Sequence, residues 1–90
     1  MARQHSGETT SSFMMEGFIS FLLAGSHEAT ELLKRYVFRI VPMMNIDGVV
    51  YGNSRAEILG CDSNRTWLDP HKLYNPIVYA IKRIMQNDNI

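Results

Sequence analysis

The sequence lacks the features that mark several common protein classes. Its 90 residues contain one cysteine, Cys61, so no disulfide can form within the chain and a disulfide-stabilised secreted miniprotein is excluded. No apolar run approaches the roughly 18 residues of a membrane span. Nine Lys and Arg residues balance nine Asp and Glu residues, so no bulk positive charge attracts nucleic acid or an anionic membrane. These absences favour a reducing compartment, the cytoplasm, and no nucleic-acid or membrane partner.

The sequence does contain enough apolar residues for one small core. It is 46% hydrophobic and 20% charged, which argues against wholesale disorder. A chain this short buries only about 60% of the surface that its unfolded form exposes. We therefore expect a single small domain at most, or a piece of a larger one.

Apolar spacing and capping residues predict two helices in the first half of the chain. The first follows a Ser11-Ser12 cap and ends at residues 24–26. Ser26 caps the second, whose last turn carries Lys34 and Arg35, as the helix dipole prefers.

Beyond the second helix the pattern changes. Residues 36–42 are nearly continuous in aromatic and β-branched residues, which predicts a strand covered on both faces and hence an α/β layer. Asn45-Ile46-Asp47-Gly48 predicts a turn, and an irregular region continues to Pro70. Asn75 and Pro76 then start a last helix with an apolar stripe. The stripe consists of Ile77, Ala80, Ile81 and Ile84.

A histidine and a carboxylate stand three residues apart near the amino terminus. His5 and Glu8, with Gly7 between them, can offer one nitrogen and one or two oxygens to a zinc ion. By itself this spacing is a weak signal, because a solvated histidine and glutamate produce the same pattern.

Several segments follow one another in an order and spacing that chance does not readily produce. The first are Ala2-Arg3-Gln4-His5-Ser6-Gly7-Glu8 and the Ser11-Ser12-Phe13-Met14 helix start. The later ones are Pro42-Met43-Met44-Asn45-Ile46-Asp47-Gly48-Val49, Gly52-Asn53-Ser54-Arg55 and Gly60-Cys61-Asp62-Ser63-Asn64-Arg65-Thr66-Trp67. Together these segments resemble the zinc carboxypeptidases, and specifically their cytosolic branch, which trims glutamates from tubulin and other proteins. The resemblance implies that residues 1–90 are the amino-terminal part of one α/β catalytic domain, with helices on a mixed sheet and most strands outside this chain.

The resemblance also implies roles for five residues. His5 and Glu8 match the first two zinc ligands of the family, and Arg55 matches the catalytic arginine that polarises the scissile carbonyl. Asn64 and Arg65 match the pair that binds the terminal carboxylate of the substrate. A guanidinium forms two parallel hydrogen bonds with a carboxylate, which suits recognition of a chain end.

The function implied is that of a zinc metallocarboxypeptidase, with Zn²⁺ as cofactor, that removes C-terminal glutamates from protein tails such as polyglutamylated tubulin. The family's third zinc ligand and catalytic glutamate match no residue here, so we expect this chain alone to be inactive or nearly so. Two alternatives remain open. One is a non-catalytic module that binds acidic C-terminal tails through Arg55, Asn64 and Arg65, and the other is a structural fragment that binds a partner through the apolar stripe of the last helix.

Two departures from the family pattern and several isolated residues carry further expectations. Ser6 and Ile46 replace prolines of the family, and we expect them to loosen the loops that position Glu8 and Arg55.

The other polar residues with metal-binding or nucleophilic side chains receive ordinary interpretations, as surface histidines, turn aspartates and an incidental thiol. They are His27, His71, Asp47, Asp62 and Cys61.

Overall fold

Residues 1–88 are described by the computed structural model, and they form four α-helices and one 3₁₀ turn. The helices are α1 (Thr10–Leu23), α2 (His27–Arg35), α3 (Ile46–Tyr51) and α4 (Pro76–Asn87), and the 3₁₀ turn is Ser63–Arg65. The chain forms a slab of 44 × 30 × 15 Å with a radius of gyration of 14.9 Å. A compact domain of this length would have a radius of gyration of about 12 Å. The described chain is therefore a thin layer with little interior.

Helices α1 and α2 form where the apolar spacing predicts them. The Ser26 hydroxyl accepts a hydrogen bond from the Ala29 amide at 3.2 Å, which confirms Ser26 as the cap of α2. The Ser11-Ser12 cap predicted for α1 is wrong, because the helix begins at Thr10 and no side chain caps its first turn. The Ser11 and Ser12 hydroxyls instead accept hydrogen bonds from Arg3, at 3.1 Å from its amide and at 2.8 Å from its guanidinium.

Residues 36–42 are extended, but no β-strand occurs within residues 1–88. The backbone partner of this segment is the amino terminus, where the Ala2 amide donates to the Val41 carbonyl at 2.9 Å. The Met44 amide then donates to the Ala2 carbonyl at 3.0 Å. A strand needs a neighbour with which to form a ladder, and Val37 is 98% exposed. The predicted mixed sheet is therefore unconfirmed, and the described part of the fold is helical.

The turn predicted at residues 45–48 is wrong, because these residues begin helix α3. The Asn45 side chain accepts a hydrogen bond from the Gly48 amide at 2.9 Å, as an N-cap residue does. Its amide group donates to the Ala56 carbonyl at 3.0 Å. A turn and a helix N-cap both favour asparagine, so the residue pattern did not separate them. The irregular region that follows is confirmed, apart from the 3₁₀ turn.

Helix α4 begins at Pro76 as predicted, but its buried face differs from the predicted stripe. Val78 and Ile81 are buried, whereas Ala80 is exposed. Asn75 does not cap the helix, because its side chain accepts a hydrogen bond from the His71 amide at 3.2 Å. The contact closes the end of the irregular region onto the start of α4.

The core is small, and helix α1 leaves most of its apolar surface uncovered. The buried apolar residues are Ala2, Leu22, Ala29, Met44, Val78 and Ile81. On α1, Phe13 is 70% exposed and Leu23 is 78% exposed. A helix that is apolar on all sides is typical of one packed on both faces within a large fold. No helix in the described part of the chain combines the length and the apolar character of a bilayer span.

Replacement of Asn45 by alanine tests the connection between α3 and the loop after it. Asn45 is 1% exposed and its side chain bonds Gly48, Arg55 and Ala56. We expect Asn45→Ala to lower the free energy of unfolding by about 2 kcal/mol, because a cap and buried hydrogen bonds are lost together. Urea unfolding followed by circular dichroism measures this. The exposed Gln86→Ala variant is the control, and equal stability of the two variants would contradict the assignment.

Candidate active site

The site is built where the amino-terminal loop meets the loop after α3. The Gly7 amide donates to the Ser54 carbonyl at 2.7 Å, and the Ser6 hydroxyl donates to the Asn53 carbonyl at 2.5 Å. A Cβ atom at Gly7 would lie 2.9 Å from the Ser54 carbonyl oxygen, so only glycine permits this approach. Ser6 thus adds a hydrogen bond between the two loops, where its replacement of proline led us to expect loosening.

His5 lies at the centre of the site, between two carboxylates. The residue is 6% exposed. Its Nδ1 atom lies 3.0 Å from Oε1 of Glu8, and its Nε2 atom lies 3.0 Å from Oδ1 of Asp62. The structure therefore brings together the two residues that the sequence predicts as metal ligands, and it adds Asp62, which we had interpreted only as a turn residue.

The contacts of His5 leave one nitrogen suited to a cation. A neutral imidazole carries one N–H, so one of its nitrogens presents a lone pair to a carboxylate oxygen 3.0 Å away. Such a pair of acceptors needs a proton or a metal ion between them. Histidine ligands of zinc commonly donate their other N–H to a carboxylate, which fixes the orientation of the ring. With Nε2–H donating to Asp62, His5 Nδ1 and the Glu8 carboxylate fit a zinc ion.

Arg55 joins the same cluster. Its Nη2 atom lies 3.2 Å from His5 Nε2, and its Nη1 atom lies 3.6 Å from Oε1 of Glu8. Its Nε atom lies 3.5 Å from Oδ2 of Asp62. The side chain is 51% exposed, so the guanidinium faces both the carboxylates and solvent. Arg55 can therefore donate hydrogen bonds to a ligand that approaches the His5–Glu8 pair.

Asp62 connects this cluster to the 3₁₀ turn that carries Asn64 and Arg65. Its Oδ1 atom accepts from the Asn64 amide at 2.9 Å. This backbone hydrogen bond lowers the pKa of Asp62 the most, partial desolvation opposes it, and His5 and Arg55 lower the pKa further. Asn64 and Arg65 are exposed, and Arg65 Nη1 donates to the Asn64 carbonyl at 3.3 Å. Asp62 therefore links His5 to the turn that carries the predicted carboxylate-binding pair. Among the described residues, Arg65 and His5 make no direct contact.

Glu57 is a buried carboxyl group that sequence reasoning missed. It is 3% exposed, and its Oε1 atom has no hydrogen-bond partner. Burial raises the pKa of Glu57 the most, and the negative charges of Asp47 and Asp62 raise it further, whereas hydrogen bonding with Ser63 lowers it. A glutamate in an irregular region gives no sequence signal of burial, so only the fold reveals it. Asp62 gave no usable signal either, because its partner His5 lies 57 residues away in sequence.

The remaining candidate residues lie apart from this cluster or keep their ordinary interpretation. His27 and His71 are exposed, and the thiol of Cys61 lies 4.0 Å from the Leu59 carbonyl. Within residues 1–88, no set of three or more histidine, cysteine or acidic side chains is placed to hold a metal ion. His5 and Glu8 offer two ligands, fewer than the three protein ligands of a catalytic zinc site.

Comparisons with known proteins identify the family to which the chain belongs. The family model described as zinc carboxypeptidase matches residues 1–83. The chain is 44% identical over 85 residues to cytosolic carboxypeptidase 1 of Danio rerio, covering 94% of this chain and 7% of that protein. It is 45% identical over 89 residues to cytosolic carboxypeptidase 6 of Caenorhabditis elegans, covering 98% of this chain and 19% of that protein. The chain therefore spans a fifth or less of the length of these two relatives.

A solved structure shares the fold. A metallo-carboxypeptidase from Burkholderia cenocepacia superposes with a TM-score of 0.90 and 37% sequence identity, covering 96% of this chain and 24% of that one. The cofactor of the matched family is Zn²⁺, which confirms the predicted cofactor class. The resemblance seen in the loop motifs is confirmed by the family match, and the chain belongs to the zinc carboxypeptidase family.

Proposed function

We propose that this chain is the amino-terminal part of one carboxypeptidase catalytic domain and carries part of its active site. The enzyme would remove C-terminal residues, glutamates in particular, from protein tails in the cytoplasm. The observation that carries the proposal is the convergence of His5, Glu8 and Arg55, whose polar side-chain atoms lie 3.0 to 3.6 Å apart.

His5 and Glu8 are the residues that would hold zinc. Zinc, when bound, supplies a Lewis acid that polarises a carbonyl group and lowers the pKa of a water molecule. Asp62 would accept the Nε2–H of His5 and so fix both the tautomer and the angle of the ring. The burial of His5 leaves the ring little freedom to rotate away, which favours a preformed metal-binding geometry.

Arg55 would act on the carbonyl oxygen of the scissile bond. Negative charge develops on that oxygen as the carbonyl is attacked, and a well-placed donor there contributes roughly 3 kcal/mol to transition-state stabilisation. The half-exposed guanidinium retains N–H groups that can reach a ligand, while Glu8 and Asp62 hold it near His5. This placement supports a role on the reacting group.

Asn64 and Arg65 would bind the terminal carboxylate. Both side chains are exposed on a turn whose backbone is fixed by Asp62, and a guanidinium recognises a carboxylate through paired hydrogen bonds. With its amide oxygen turned toward these donors, Gln4 also accepts from the Asn64 amide and the Trp67 indole at 3.2 and 2.8 Å. A fixed turn supports selectivity for a chain end over an internal peptide bond.

The preference for glutamate tails rests on the named relatives. Proteins called cytosolic carboxypeptidases are more than 40% identical to this chain, and the cytosolic branch that the motifs resemble trims glutamates from tubulin. We extend that substrate class, including polyglutamylated tubulin, and the cytoplasmic location to this protein as part of the proposal.

Zinc titration tests the metal-binding part of the proposal. We expect His5→Ala to weaken Zn²⁺ binding to the 90-residue chain by about tenfold or more, because it removes one of the two proposed ligands. Isothermal titration calorimetry with Zn²⁺ measures the affinity. His27→Ala, which alters an exposed histidine on α2, is the matched control. Equal zinc affinity in the two variants would exclude His5 as a ligand.

Peptide binding tests the carboxylate-binding part. We expect Arg65→Ala to weaken binding of a glutamate peptide with a free C-terminal carboxylate by about tenfold, the effect of losing one charge-assisted contact. The same peptide with an amidated C-terminus should bind both proteins equally weakly. Arg83→Ala on α4 is the control, because Arg83 is an exposed arginine outside the site. An Arg65→Ala variant that binds as tightly as the Arg83→Ala variant would refute this role.

A further inference from the structure

We propose that Trp67 is a positioning residue that holds the Asn64-Arg65 turn in a fixed place relative to His5. The inference rests on the proposed role of Asn64 and Arg65 in binding the terminal carboxylate of a substrate. It adds a residue whose role is to place that turn, and it names the two side chains that hold Trp67 itself.

The turn is held together by its own hydrogen bonds. The Arg65 amide donates to the Asp62 carbonyl at 3.0 Å. The Thr66 amide and hydroxyl both donate to the Ser63 carbonyl, at 3.2 and 2.9 Å. All of these groups lie within residues 62–66. Contacts with residues further away in sequence therefore determine where the turn lies in the molecule.

Asp62 supplies one such contact, but its partners belong to the proposed ligand-binding cluster. Its carboxylate oxygens lie 3.0 Å from Nε2 of His5 and 3.5 Å from Nε of Arg55. The Arg55 side chain is half exposed, so water competes with this ion pair. A contact outside the cluster would keep the turn in place while ligands exchange there.

The indole group of Trp67 makes such a contact, with Gln4 of the amino-terminal loop. The Trp67 indole N–H and the Asn64 backbone amide face the same atom of the Gln4 side chain, at 2.8 and 3.2 Å. Only the oxygen of that side-chain amide can accept both hydrogen bonds. Gln4 directly precedes His5 in the sequence. These hydrogen bonds therefore join the turn to the loop that carries the proposed metal ligands.

The backbone of Trp67 is held by a different element, helix α4. Lys82 Nζ donates to the Trp67 carbonyl at 2.9 Å and to the Leu68 carbonyl at 2.6 Å. An ammonium group has three N–H donors, so one lysine can satisfy both carbonyls. Lys82 follows Ile81, which is buried together with Val78 on the same helix. Trp67 is thus held at its indole by the amino-terminal loop and at its carbonyl by α4.

Neither contact uses a side chain that we propose to bind zinc or substrate. Gln4 contacts Asn64 at its backbone amide, and Lys82 contacts backbone carbonyls. The Asn64 and Arg65 side chains remain exposed. The separation between the carboxylate site and the metal site sets which peptide bond of a bound chain lies at the metal. A fixed separation therefore favours reaction at the terminal peptide bond.

The first experiment replaces Gln4 by methionine, which has nearly the same length but only a weak acceptor. Calorimetry measures the affinity for an acetylated di-glutamate peptide with a free C-terminus and for its amidated form. We expect the ratio of these affinities to fall about fivefold in Gln4→Met, the order of one neutral hydrogen bond. A general loss of stability would weaken both peptides equally and leave the ratio unchanged. Gln86→Met, which alters an exposed glutamine on α4, is the matched control.

The second experiment asks whether Gln4 acts through Trp67. Trp67→Phe keeps an aromatic ring and removes the indole N–H. The ratio should fall in this variant too, and the double variant should lose less than the product of the two single losses. The chain has one tryptophan, so a single indole N–H resonance reports the hydrogen bond. That resonance should move in Gln4→Met and stay in place in Gln86→Met.

The third experiment tests the contact with α4. Lys82→Met removes the ammonium group and keeps an unbranched side chain, so we expect a further fall of the ratio. Lys72→Met removes the same charge from an exposed position and is the matched control. Equal ratios in the two lysine variants would overturn the role of Lys82.

The outcomes separate this inference from the proposed function. A wild-type chain that does not distinguish free from amidated peptide overturns the proposed carboxylate role and the Trp67 inference with it. Preference of the wild type for the free peptide, with a ratio unchanged in Gln4→Met and Trp67→Phe, overturns the Trp67 inference alone. An indole resonance that does not move in Gln4→Met also overturns it.

Discussion

The position of His5 between two carboxylates is the constraint on which the rest of the site depends. Its two ring nitrogens contact Glu8, three residues away, and Asp62, 57 residues away in sequence. The first contact shapes the amino-terminal loop, and the second attaches the 3₁₀ turn to it. Because the ring is buried, it has little room to rotate and so keeps its contacts with both loops. One imidazole thereby sets the relative position of the two loops.

Two carboxylates and one guanidinium surround His5, and the ion pairs between them leave the site able to bind ligands. Glu8 and Asp62 are negative, and Arg55 lies within 3.6 Å of both. Glu8 and Arg55 are more than half exposed, so water competes with their ion pairs and each pair contributes little to stability. Because these ion pairs are weak, a cation can bind to Glu8 and an anion can bind to Arg55. The cluster is thus better suited to exchanging ligands than to holding the fold together.

The features that could be predicted from the sequence are those that local physics determines. Ser26 caps α2 as predicted, because a serine before an acidic first turn needs no distant partner. The strand predicted at residues 36–42 needed a neighbouring strand, which the described residues lack. Asparagine is favourable both in a turn and at a helix N-cap, so the sequence could not show which of the two Asn45 forms. In the structure Asn45 caps α3 and also donates a hydrogen bond to the Ala56 carbonyl. The contacts of Asp62 and the burial of Glu57 arise from the packing of loops that are distant in sequence, so no spacing of residues predicts them.

The uncovered surface of helix α1 has a consequence for the behaviour of the chain in solution. Phe13, Met14 and Leu23 are each at least 70% exposed, while the chain carries a formal net charge of zero and a calculated isoelectric point near 6.8. Near neutral pH, copies of the chain therefore approach one another with little electrostatic repulsion, and their apolar surfaces attract. Colloidal stability is lowest where most assays are run. A buffer with a pH well away from the isoelectric point gives the chains a net charge, and therefore electrostatic repulsion. A mild detergent covers the exposed apolar side chains of α1.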